Sequence, residues 1–128
     1  MTTSPAWIAA LAAAASLGAA GVAYAHGGNV PEHGGVLKLV ADTSVELVTR
    51  PEGVQVWVEE EGEEVPSASM TGKLVIVAGA DRSEVALTPG AGNMWEAKGL
   101  TLKHGSNVTV LMVGAAGRDK TAASFTIK

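Results

Sequence analysis

From Val36 onward the chain is written in short runs of β-branched residues that alternate with polar ones and stop at Gly, Pro, Asp or Asn. A period of two marks a strand with one buried and one solvated face, and a helix, whose faces repeat about every 3.6 residues, cannot present it. Val54, Val56 and Val58 alternate with Gln55, Trp57 and Glu59 in this way. Further runs predict strands over Val36–Val40, Val45–Thr49, Lys73–Ala78, Glu84–Leu87, Met94–Lys98, Asn107–Val113 and Thr121–Ile127. The acidic stretch Glu59–Glu64, broken by Gly62, reads as a hairpin tip. No amphipathic stretch of helical period interrupts the series. About seven or eight short strands with these turn signals predict an all-β domain, a small Ig-like sandwich or barrel. Its core must be filled mainly by Val, Leu, Ile and Ala, because Trp57, Trp95 and Phe125 are the only aromatic residues after Tyr24.

The first 25 residues differ in kind. They carry no charged side chain and run from Pro5 through an Ala-rich apolar stretch to Ala23-Tyr24-Ala25. Small residues at the −3 and −1 positions suit a signal peptidase, so residues 1–25 are expected to be an export signal cleaved after Ala25. Only an uncleaved signal would attach the chain to a membrane. The expected location is periplasmic or secreted. Residues 26–35, His26-Gly27-Gly28-Asn29-Val30-Pro31-Glu32-His33-Gly34-Gly35, are Gly-rich and predict a flexible arm ahead of the domain spanning 36–128.

The 128-residue chain has 13 acidic and 9 basic residues, a net charge of −4 and no Cys. It has no basic stripe for nucleic acid and no thiolate for a zinc site or a nucleophile. Neither G-x-S-x-G nor H-E-x-x-H occurs, and Gly90-Ala91-Gly92 lies in a turn between strands rather than between strand and helix. No enzyme is therefore expected.

Two of the three histidines fall in the arm. Cleavage after Ala25 would give His26 a free α-amine beside its imidazole, and His33 would add another nitrogen. Such ligands suit Cu(II), with Ni(II) and Zn(II) next, because the Irving–Williams order puts Cu(II) highest for nitrogen donors. Cleavage after Ala23 would instead leave Tyr24-Ala25-His26, with His third, the arrangement of an amino-terminal copper and nickel chelate. His104, in Leu102-Lys103-His104-Gly105, is the candidate third imidazole if the arm folds back onto the domain. Met94 adjoins Trp95 and is a subsidiary candidate, since a thioether favours Cu(I) and the indole could cover a cation.

Ala25-His26-Gly27-Gly28, Pro31-Glu32-His33-Gly34-Gly35, Val56-Trp57-Val58, Leu87-Thr88-Pro89-Gly90-Ala91-Gly92-Asn93 and the closing Phe125-Thr126-Ile127-Lys128 together resemble a family of small exported His-Gly-Gly β-domain proteins associated with heavy-metal efflux and resistance. The resemblance implies a metal-associated periplasmic role, with a metal-efflux or envelope protein as partner. The expected function is copper binding through the arm for buffering, sequestration or delivery. The contrasting expectation is a structural or protein-interaction module of the cell envelope without a metal.

Overall fold

A computed structural model describes residues 30–128. It contains nine strands: β1 (Val36–Val40), β2 (Thr43–Arg50), β3 (Gly53–Glu60), β4 (Glu63–Glu64), β5 (Met70–Ala78), β6 (Asp81–Pro89), β7 (Met94–Lys98), β8 (Asn107–Gly114) and β9 (Lys120–Thr126). A single 3₁₀ turn, Ser67–Ser69, leads into β5. Every pairing is antiparallel, in the order β1-β2-β3-β7-β6-β5-β8-β9, with β4 beside β3. Strand β6 joins the two halves, pairing with β5 over most of its length and with β7 at Thr88 and Pro89. The result is a nearly closed barrel, and the all-β expectation holds in its barrel form.

The alternating valines do what their spacing predicts. Val54, Val56 and Val58 point inward and are buried with Val45, Leu74 and Val110. Trp95 sits among them with no exposed surface, and its indole N–H donates to the Met70 carbonyl at 3.2 Å, so its one polar atom is satisfied. Met112 is also fully buried and fills the core beside Gly72, and Met70 packs against the same cluster. These two thioethers are packing groups.

The sequence and structure differ mainly in strand length. Strand β2 starts two residues before Val45, and β6 extends beyond Glu84–Leu87 on both sides. The acidic stretch forms a hairpin that turns at Glu61 and Gly62, pairing Glu59 with Glu64 and Glu60 with Glu63.

Because Trp95 is the largest wholly buried side chain, Trp95→Ala is expected to lower unfolding free energy by about 3–5 kcal/mol. Exposed Lys98→Ala should stay within about 0.5 kcal/mol. Urea unfolding of both variants checks this.

Candidate functional site: a histidine anchored on a buried carboxylate

Strand β2 departs from alternation. Ser44, Val45, Glu46, Leu47 and Val48 are all buried, so the strand is covered on both faces. Val45 and Leu47 face the core. The outer face, carrying Ser44, Glu46 and Val48, meets the segment just before β1. Gly34 turns that segment at φ +81°, and Gly35 then lies so close to β2 that a Cβ would collide with the Leu47 carbonyl oxygen. The Gly-Gly pair after His33 is therefore what lets the chain lie flat on the strand.

Glu46 is 3% exposed. A buried carboxylate is costly unless its oxygens are well partnered. Its Oε1 accepts the Glu32 amide at 3.1 Å and faces His33 Nδ1 at 3.0 Å. Its Oε2 accepts the His33 and Gly35 amides, each at 2.9 Å. Burial pushes the Glu46 carboxyl up, but the bonds from the His33 ring and from the Gly35, His33 and Glu32 amides outweigh that, and the group titrates below the ordinary carboxylate range. Residues 32–35 thus form a small nest of N–H donors around one anion, tied down rather than free.

An ionised carboxylate only accepts hydrogen bonds, so Nδ1 of His33 is the donor to Glu46 and Nε2 is the ring nitrogen left for another partner. Nε2 makes no hydrogen bond among the described residues. The ring stacks on Trp57, with centroids 3.6 Å apart and planes 5° from parallel. Arg50 Nη2 donates to the His33 carbonyl at 3.3 Å while its Nε donates to Gln55. Ring plane, tautomer and backbone of His33 are all fixed by neighbours.

The register sets Glu46, Trp57 and Met94 in one row on the outer face of β2, β3 and β7. Beside His33 is a cavity of about 20 Å³ bordered by Glu32, Ser44, Trp57, Glu59 and Asn93, room for about one water-sized occupant. Trp57 buries its indole N–H without a partner among the described residues. Burial raises the Glu59 carboxyl's pKa, and the Glu32 and Glu64 carboxylates add to the rise. His33 opposes it and Glu46 adds a smaller push.

Of the expected ligands, His33 is built into this site and His26 lies outside the described residues. His104 is exposed in a turn ahead of β8, where Gly105 donates to the Ile127 carbonyl at 2.6 Å. It is not gathered with His33: among the described residues no three His, Asp or Glu side chains form a metal-holding group. Met94 is half-buried, its thioether against Gly90. Trp95 cannot cover a cation beside it, because successive strand residues face opposite ways and Trp95 is in the core. The indole on Met94's face is Trp57, its cross-strand neighbour. Sequence reasoning missed Glu46 and Trp57. The available signal was a carboxylate inside the apolar run Val45-Glu46-Leu47-Val48.

A group whose folded pKa is lowered stabilises fully above its unfolded pKa, about 4.3 for Glu, and loses that contribution as pH falls through the lowered value. Exchange protection of the Glu32, His33 and Gly35 amides should therefore persist down to that range and vanish on further acidification. Glu46→Gln should remove the protection at neutral pH and cost about 2–3 kcal/mol, the worth of hydrogen bonds to a charged group. Gly35→Ala should undock the segment and leave core amides protected. Amide exchange followed by NMR measures all three.

Compared with known proteins, the chain matches no family model, no curated protein and no solved structure.

Proposed function

We propose that this is an exported metal-binding protein whose His-Gly-Gly arm takes up Cu(II), or a neighbouring borderline ion such as Ni(II) or Zn(II), for buffering, sequestration or delivery. The observation that carries the reading is the Glu46–His33 pair: Nδ1 lies 3.0 Å from a buried carboxylate. Metal-ligating histidines are usually held in this manner, with the second ring nitrogen on a carboxylate that fixes the tautomer and raises the basicity of the ligating nitrogen. Glu46 would act behind His33 and Nε2 would face the ion. The His33 side chain keeps 29% of its surface, so an ion can reach it.

One imidazole does not hold a divalent ion tightly. His26 stands seven residues before His33, and, if the signal is cleaved after Ala25, it brings an imidazole and an α-amine to the same arm. Nitrogen donors of this kind place Cu(II) first. The arm is favoured over His104 and Met94 as the seat of the ion because only His33 has its ring oriented by a buried partner. Export rests on the apolar segment ending Ala23-Tyr24-Ala25.

The test starts with the full precursor expressed in an exporting host, with the mature N-terminus read by intact mass. Cu(II) titration by calorimetry should show one-to-one binding in the micromolar range or tighter. The His26→Ala, His33→Ala double variant should lose it, and Glu46→Gln should weaken it about 10–100-fold, as expected for a partner behind the ligand. Millimolar binding, or binding indifferent to these substitutions, would leave the Glu46–His33 pair as a structural latch in an envelope interaction module.

A further inference from the structure

We infer that the barrel itself supplies an oxygen ligand to the ion, the carboxylate of Glu59, which borders the same cavity as the His33 imidazole. The inference rests on the metal reading above and specifies its site.

Besides Glu46, two carboxylates border the cavity, Glu32 on the arm and Glu59 on β3, and of these only Glu59 belongs to the barrel. Glu46 has both oxygens engaged by the arm's N–H groups. Glu60, Glu61, Glu63 and Glu64 are exposed around the hairpin turn, whereas Glu59 is half-buried. Glu59 stands two residues from Trp57 on β3, hence on the sheet face that carries the indole under His33. Ser44 lies across from it on β2, and Glu64 on β4.

The charge around Glu59 asks for a cation. Glu64 is its cross-strand neighbour on β4, and Glu32 and His33 border the same cavity. Among the described residues no Lys or Arg forms an ion pair with it. A half-buried carboxylate with others beside it is unfavourable without a cation, and a divalent ion between Glu59 and Nε2 would add attractions that offset their repulsion.

The donor set also selects the ion. Imidazole nitrogen and carboxylate oxygen suit borderline divalent ions, while Cu(I) prefers soft sulfur. The sulfur in this row, that of Met94, is packed against Gly90. The site is therefore one for Cu(II), Zn(II) or Ni(II). Since His33 is on the arm and Glu59 on β3, a bound ion would clip arm to barrel.

Cu(II) titration of the mature chain, Glu59→Gln and Glu61→Gln tests this. Glu59→Gln should weaken binding about tenfold or more, and Glu61→Gln less than twofold. Substoichiometric Cu(II) should also broaden NMR signals around Glu59 together with those of Glu32–Gly34 in the unmodified chain, a readout independent of how any variant folds. If the unmodified chain does not bind Cu(II), the metal reading and this ligand fall together. If binding needs His33 but is indifferent to Glu59→Gln, and broadening is confined to the arm, the Glu59 ligand alone is overturned.

Discussion

A carboxylate buried on the outer face of β2 organises one side of this molecule. Glu46 lies between Val45 and Leu47, whose inward side chains fix the strand's register, so it must point outward and cannot move to the barrel's rim. Left to solvent it would need nothing. Covered by the arm it needs every donor it receives, and the arm gives three amides and one imidazole N–H. The same contacts hold His33 over Trp57 and roof the cavity that Glu59 borders. Docking of the arm, orientation of the histidine and shape of the cavity are one event.

The surrounding field has a sign. Residues up to Val65 carry nine acidic and two basic side chains, and the remainder four acidic and seven basic. The strand order keeps β1, β2, β3 and β4 adjacent, so this sequence asymmetry becomes a spatial one, with His33 on the acidic side. A potential of that kind raises the local concentration of cations and speeds their arrival, an effect that weakens with added salt. It also blunts the β3–β4 hairpin against edge-to-edge pairing. Both consequences follow from the same charges, so the acidic tip needs no single purpose.

The strands were legible because one-sided burial leaves alternation in the sequence, and β3 shows it clearly in Val54, Val56 and Val58. Strand β2 was legible only as an apolar run, because its second face is covered by residues separated from it by all of β1. No local rule reports that cover. The Gly34-Gly35 pair was visible as a flexibility signal, and its actual work, a left-handed turn and a close approach to Leu47, depends on a strand the pair cannot see. His33 was found by residue type alone; its ring geometry needed Glu46 and Trp57, from strands that meet it only in the fold. The separation of Met94 from Trp95 was readable, since period two already sends neighbours to opposite faces.

The energetics of the docked arm explain why an ion could matter to it. Fixing backbone costs about 1–2 kcal/mol per residue, or about 4–8 kcal/mol over the four residues from Glu32 to Gly35. Four hydrogen bonds to a charged acceptor return about 1.5–3 kcal/mol each, and the His33–Trp57 stack adds about 0.5–1.5 kcal/mol. Desolvating Glu46 takes back several kcal/mol. These contributions largely offset one another, so docking rests on a net of about 2–3 kcal/mol. A ligand that binds the docked arm better than the free one shifts that balance by its differential affinity and by nothing else. An ion held by His33 alone gains from docking only through the Glu46 bond behind the ring, because the imidazole otherwise travels with the arm. An ion shared with Glu59 binds only where arm and barrel meet, and its binding energy becomes docking energy.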